Sequence, residues 1–357
     1  MSQKTIMIMA GGTGGHIMPG LAVAHELMHQ GHKVVWLGGV MGSMEAKLVP
    51  QHGVEFNSVE FGGVRGKGWS TKLLFPFRLA KAVAQARAVI KQVRPDVVLG
   101  MGGYITVPGG LAAKMAGVPI VLHEQNSIVG LSNKLLAKIA QRVLSGFPNA
   151  LPDAEWVGNP VKQAIVDVQG PDARYAAHTG AFKIAVVGGS LGAQALNTVV
   201  PQALALMPEA TRPQVIHQAG EKMIAALREN YAQAGVSAEC VPFINDMAAL
   251  YAQVDVLICR SGAMTVSELA AAGVPSIMVP FPFAVDDHQT SNAKLLTDAG
   301  AGICIAQSSL TAQRLADELN RLTRDGLRVQ AIQARTVAKP NATRDVARVC
   351  LDVAQAS

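Results

Sequence analysis

AGGTGGHIMPGLA, residues 10–22, follows directly on the apolar run IMIM at residues 6–9. Four glycines flank Thr13 and lead into His16, then Pro19 and a stretch with helical spacing. A short buried strand, a bare turn and a helix start form the first half of a βαβ unit. The same grammar recurs along the chain. KIAVVGGSLGA at residues 183–193 repeats strand, glycine turn and helix start, and VVLGMGGYITVPGG at residues 97–110 supplies a third such turn. Apolar runs without alternation predict parallel strands covered on both faces. Five lie in the first half (TIMIMA, KVVWLG, VEFNSV, DVVLGMGG, PIVLH) and six in the second (KIAVVGGS, QVIHQAG, AECVPF, VDVLICRSG, PSIMVPF, AGICIA). Eleven strands exceed one compact sheet of this type. They divide at the polar, Gly- and Pro-containing segment 167–183, so the expected fold is α/β with two Rossmann-like, doubly wound domains. The expected division is residues 1–163 and 164–340. The helical spacing of Val346, Val349, Cys350 and Val353 predicts that segment 341–357 returns to pack on the first domain.

Composition sets limits. The 357 residues, half of them hydrophobic, suffice for two cores. No window approaches about 18 uninterrupted apolar residues, so no spanning helix is expected. The N-terminus MSQKTIMIMAGG shows neither h-region nor cleavage site of a secretory signal. Cys240, Cys259, Cys304 and Cys350 are far apart without a CxxC pair, which argues against a zinc site and a disulfide framework and suits a reducing cytoplasm. No carboxylates cluster with metal-binding geometry, and no metal is expected to take part. The net charge of +6 is unevenly placed: residues 61–95 contain no Asp or Glu but hold Arg65, Lys67, Lys72, Arg78, Lys81, Arg87, Lys91 and Arg94. A charge run can be a solvated helix face. Here it adjoins Leu73, Leu74, Phe75 and Phe77, and basic beside apolar suits an anionic membrane surface. Pro76 is expected to interrupt any helix through these residues. The helix beyond it should bury Leu79, Val83, Ala86, Ile90 and Val93. No helix-turn-helix, zinc-finger or RNA-binding signature points to nucleic acid.

Each glycine turn at a helix start is a candidate anion site. Unpaired N–H groups and the helix dipole favour negative charge, and glycine lets a phosphate or sugar approach the backbone. The NAD fingerprint fails, because Ile17 stands where the third glycine belongs and no acid ends the second strand. FGGVRGKG at residues 61–68 fails as a P-loop, with Phe61 for the first glycine and Gly68 for Ser/Thr. CRSGAMTVSELAAAGVPSIMVPF, residues 259–281, offers a better nucleotide site. A diphosphate can sit on its helix start, and Glu268 can accept two hydrogen bonds from a ribose diol. The same carboxylate could instead serve only as a favourable charge near the helix N-terminus.

Seven stretches in order, GGTGGHIMPGLA (11–22), GMGGY (100–104), HEQN (123–126), GNPV (158–161), GGSLGA (188–193), CRSGAMTVSELAAAGVP (259–275) and DDHQTSNA (286–293), resemble the MurG family of bacterial cell-wall glycosyltransferases. The resemblance covers essentially the whole chain and implies the GT-B architecture, two domains facing across a cleft. It implies transfer of N-acetylglucosamine from UDP-GlcNAc to undecaprenyl-diphospho-muramoyl-pentapeptide, with inversion to a β-1,4 linkage and without a cofactor. It also implies work at the cytoplasmic face of the cell membrane, with other cell-wall synthesis proteins as partners. Carried over by motif, the donor set is Thr13, Gly14, Gly15, Asn126, Lys162, Ser190, Ile244, Ala263, Met264, Thr265, Val266, Ser267, Glu268 and Gln289. Gly102, Gly103 and Tyr104 fall to the acceptor. Lys162 departs from the Arg frequent in the family after GNPV, keeping the charge but losing the planar fork. His16 becomes the candidate general base, since imidazole titrates close to neutral pH. Two other readings share the nucleotide site: a UDP-GlcNAc epimerase of the same fold, and a sugar-nucleotide-binding protein without catalysis.

Overall fold

A computed structural model describes residues 2–62, 74–189 and 192–356. The chain forms two compact units, residues 1–161 with 339–357, and residues 162–338. Both divisions fall two residues before the expected ones, which assigns Lys162 to the second unit.

In the first unit the strands are β1 (Thr5–Met9), β2 (Lys33–Gly38), β3 (Glu55–Ser58), β4 (Val97–Gly100), β5 (Ile120–Glu124), β6 (Arg142–Ser145) and β7 (Glu155–Trp156). They form a parallel sheet in the order β3-β2-β1-β4-β5-β6-β7. Alternate side chains serve opposite cores. Ile6, Ile8, Trp36 and Leu99 join one buried cluster, and Met7, Met9, Leu37 and Val98 join the other. That two-faced burial is why these strands read as unbroken apolar runs. The C-terminal helix Ala342–Gln355 belongs to this unit. Val346, Val349 and Cys350 are buried in the first cluster, and Val353 packs against it. Strands β6 and β7 escaped the sequence reading, because RVLS is four residues long with a charged end and EW only two.

The helix Phe75–Val93 corrects another expectation. Pro76 lies in its first turn rather than interrupting it, as proline without an N–H is tolerated there. Ala82, Ala86 and Ile90 are its buried positions, and Leu79, Val83 and Val93 are partly buried beside them.

The second unit has strands β8 (Lys183–Val187), β9 (Gln214–Gln218), β10 (Glu239–Val241), β11 (Val256–Cys259), β12 (Ser276–Met278) and β13 (Gly302–Cys304), all six of them read from the sequence. Their order is β10-β9-β8-β11-β12-β13, again parallel. Both sheets therefore reverse strand order beside their first strand, between β1 and β4 and between β8 and β11. A doubly wound sheet opens its crevice at the carboxyl ends of such a pair. Register places Met9 opposite Gly100 and Val187 opposite Cys259. In each unit two of the glycine turns thus emerge side by side.

Candidate active site

In the first unit the turn after β1 runs into the helix Gly14–His29. Thr13 is its N-cap, exposed, with no capping bond from its side chain. A Cβ on Gly14 would meet nothing within 4 Å, and on Gly15 only Thr13 Oγ1 at 3.7 Å. The helix start is bare and open. The neighbouring turn after β4 packs against it. Gly102 (φ +94) and Gly103 (φ +88) hold a left-handed conformation, and a Cβ on Gly102 would lie 2.7 Å from His16 Nδ1. His16 is half-buried, and its Nδ1 lies 2.8 Å from Gln125 Oε1. Asn126 follows β5, and its backbone N–H donates to Glu124 Oε1 at 2.9 Å.

Three buried groups that the sequence reading did not assign hold these turns. The Glu45 carboxylate, fully buried, accepts from the Gly39 N–H (3.0 Å), the Gly12 N–H (3.3 Å) and the Tyr104 hydroxyl (3.3 Å). Burial and the adjacent carboxylate push the Tyr104 phenol up to about 12, so it stays a donor at neutral pH. Glu124 accepts from Gly130 N–H and Asn133 Nδ2, both at 3.0 Å, and fixes the loop beyond HEQN. Gln125 is buried between His16 and His123. HEQN itself marked the spot for the last two. Glu45 carried no signal, because its partners come from three different loops.

In the second unit the helix Ala263–Ala272 starts directly after β11. Its N-cap Gly262 offers no side-chain cap, which leaves the first-turn N–H groups of Ala263, Met264 and Thr265 for a ligand. Val266 is buried and Ser267 Oγ donates to Ala263 O at 2.9 Å, so these two shape the helix start from within. Glu268 Oε2 accepts from the Tyr251 hydroxyl at 2.9 Å. Burial pushes the carboxyl up to about 7, against the opposing pull of the Tyr251 bond and the Lys162 charge. Lys162 is itself exposed. Gln218 Nε2 ties the β8 turn to the segment after β10 by donating to Gly189 O (3.0 Å) and Pro242 O (3.1 Å). Half-buried Ile244 stands two residues beyond Pro242. Gln289 Oε1 accepts from the Phe281 N–H at 2.9 Å, holding the segment after β12. Beside it, Arg260 donates to Val279 O (3.0 Å), Pro280 O (3.1 Å) and Gln307 Oε1 (2.7 Å), another clamp the sequence reading missed.

The structure thus distributes the expected donor residues over both units. Thr13, Gly14, Gly15 and Asn126 lie in the first, and Lys162, Ile244, Ala263–Glu268 and Gln289 in the second. Ser190 lies outside the described residues, as does Leu73. Of the apolar cluster, Phe77 (75% exposed) and Leu74 (50%) face outward. Phe75 does not. Its ring packs on Phe61 with centroids 6.1 Å apart, so it belongs to the fold rather than to a docking surface.

Comparison with known proteins matches residues 6–145 to the glycosyltransferase family 28 N-terminal domain and residues 183–348 to the family 28 C-terminal domain. The chain is 57% identical to the UDP-N-acetylglucosamine--N-acetylmuramyl-(pentapeptide) pyrophosphoryl-undecaprenol N-acetylglucosamine transferase of Burkholderia thailandensis, over 99% of this chain and 97% of that protein. It is 58% identical to the Burkholderia multivorans protein of the same name, over 100% and 98%. Among solved structures, MurG of Acinetobacter baumannii superposes with a TM-score of 0.86 at 39% identity, covering 98% of this chain and 99% of that one. A putative UDP-N-acetylglucosamine 2-epimerase from Listeria monocytogenes reaches a TM-score of 0.65 at 14% identity, a likeness of fold alone. Two parallel-sheet α/β domains of GT-B type, both family 28 domains and this full-length identity place the chain in glycosyltransferase family 28, and within it in the MurG family.

Proposed function

We propose that the protein transfers N-acetylglucosamine from UDP-GlcNAc to the C4 hydroxyl of the muramoyl sugar of undecaprenyl-diphospho-muramoyl-pentapeptide. Full-length identity of 57% to transferases named for that reaction carries the reading. The half-sites supply suitable chemistry. The uncapped N–H groups at Ala263–Thr265 suit a diphosphate, and Glu268 a ribose diol. As UDP departs, the same N–H groups stabilise its growing charge. His16 takes the proton of the attacking hydroxyl, and the open start of its helix leaves room for a ligand over Gly14 and Gly15. Direct displacement at the anomeric carbon inverts it and gives a β linkage. Ser190, Lys162, Asn126, Ile244 and Gln289 complete the donor contacts in this reading, and Gly102, Gly103 and Tyr104 contribute to the acceptor side.

The acceptor's lipid tail stays in the bilayer, so the protein must reach the membrane surface. No helix among the described residues is long and apolar enough to cross it. Exposed Leu74 and Phe77 lie beside a groove of about 950 Å³ lined by Pro76, Leu79, Val83, Arg87, Lys91 and Met115, among others. Apolar and basic groups on one face suit peripheral docking on anionic lipid at the cytoplasmic face of the inner membrane. There the chain would also meet other cell-wall synthesis proteins. The test is UDP release from UDP-GlcNAc with and without the lipid-linked acceptor. Release that requires the acceptor supports transfer. Conversion of UDP-GlcNAc without acceptor would indicate an epimerase, and binding without turnover a sensor.

A further inference from the structure

Behind His16 runs a chain of hydrogen bonds that ends on the backbone. His16 Nδ1 lies 2.8 Å from Gln125 Oε1, Gln125 Nε2 lies 3.0 Å from His123 Nδ1, and His123 Nε2 lies 2.8 Å from Gly158 O. Gln125 Nε2 is also 3.0 Å from the His123 carbonyl oxygen. Gln125 and His123 are buried, at 1% and 0% exposure. We propose that Gln125 and His123 are positioning residues that lock His16 as the Nδ1–H tautomer and so aim the Nε2 lone pair outward as the base. The proposal rests on the reading of His16 as the general base.

The proton placement follows from the two carbonyls. Gly158 O can only accept, so His123 Nε2 carries the hydrogen. Burial depresses the His123 imidazole to about 4, so at neutral pH the ring is uncharged and its Nδ1 accepts. The His123 carbonyl oxygen can also only accept. A side-chain amide facing both Nδ1 and that oxygen must present its NH₂, because the flipped amide would set oxygen against oxygen. The Gln125 oxygen is thereby turned to His16. It has no hydrogen to give, so His16 Nδ1 must donate. Among the described residues His16 Nε2 has no hydrogen-bond partner, and its lone pair is available. A free neutral histidine side chain prefers the opposite tautomer, with the proton on Nε2, so the orientation has to be imposed. When His16 accepts the acceptor's proton at Nε2, the Nδ1–H bond to Gln125 persists and the ring need not turn. Gly102 closes the arrangement from the side, since a Cβ there would lie 2.9 Å from His16 Cε1 and 3.4 Å from Gln125 Oε1.

The direct test is nitrogen-15 NMR of the histidine rings in the whole, unmodified chain near pH 8, with the His16 signals assigned by their loss in His16→Gln. The lock predicts a pyrrole-type Nδ1 and a pyridine-type Nε2 for His16, and the reverse pair for His123. A predominantly Nε2–H His16 would overturn it. The near-isosteric Gln125→Leu should release His16 into a tautomer mixture. It should lower kcat by roughly 10–10²-fold, as loss of an orienting partner typically does, and leave KM for UDP-GlcNAc unchanged. Retention of both tautomer and kcat in that variant would also overturn the proposal. The underlying base reading fails separately: if His16→Gln keeps full turnover while the wild-type ring is Nδ1–H, the lock exists but serves another purpose than proton transfer.

Discussion

At the residue level, the pH dependence of Glu268 tests its proposed place on the ribose. Its carboxyl is raised from its ordinary 4.5 to about 7 by burial. A raised carboxylate favours the folded state fully below pH 4.5 and loses that contribution as pH rises through 7. At pH 8 the empty site therefore holds a charge that costs stability on the order of 1–3 kcal/mol. Glu268→Gln should raise the Tm of the unliganded protein at pH 8 while weakening UDP binding by about 1–3 kcal/mol, the ribose hydroxyls having lost their acceptor. Wild-type UDP affinity should also fall more steeply than the variant's between pH 8 and pH 6. Parallel slopes by calorimetry would remove the carboxylate from the ribose. His16→Ala should leave UDP affinity near normal and lower turnover by roughly 10²–10⁴-fold, and full activity in that variant would dismiss the base.

At the level of elements, the helix Phe75–Val93 has one buried and one exposed face. Ala82, Ala86 and Ile90 bury one. Leu74 and Phe77, exposed with Arg78, Arg87 and Lys91, form the other. Lys81 is partly occupied by Glu60 at 2.5 Å. Replacing Leu74 and Phe77 together by Ser should reduce binding to anionic vesicles without changing Tm or UDP affinity. Raised salt should weaken what remains, each basic group near the surface contributing about 1 kcal/mol. Unchanged vesicle binding would rule the face out. Including Phe75 would blur the result, because its ring packs on Phe61. The sequence alone could not tell these three positions apart, since exposure depends on partners distant in the chain. For the same reason the bare helix starts at Gly14 and Ala263 were legible as local patterns of strand, glycine and helix. The buried groups that hold them, Glu45 under Tyr104 and Gln125 between two histidines, were not. Pro76 opens the helix instead of interrupting it, because proline breaks a helix interior but is tolerated in a first turn.

At the level of the whole molecule, each unit carries a neutral buried histidine. His123 is depressed to about 4 and His217, between Tyr231 and Asn197, to about 3, both by burial. A depressed imidazole contributes stability that is present above its unfolded pKa near 6.5 and is lost as pH falls toward the folded value. In Glu268→Gln, where the opposing carboxylate is removed, both units should therefore lose on the order of 1–3 kcal/mol per histidine between pH 6.5 and pH 4, seen as a falling Tm across that window. A flat Tm there would contradict the assignment of these rings as neutral. The family points to a single reaction, transfer of one N-acetylglucosamine to the lipid-linked acceptor. The most direct measurement of that claim is the product itself. The protein should be incubated with UDP-GlcNAc and the lipid-linked muramoyl-pentapeptide, and the lipid fraction analysed by mass and by the anomeric proton coupling of the new linkage. Each UDP released should be matched by a gain of one N-acetylhexosamine in β linkage. An unmodified lipid fraction alongside released UDP, or an α linkage, would contradict it.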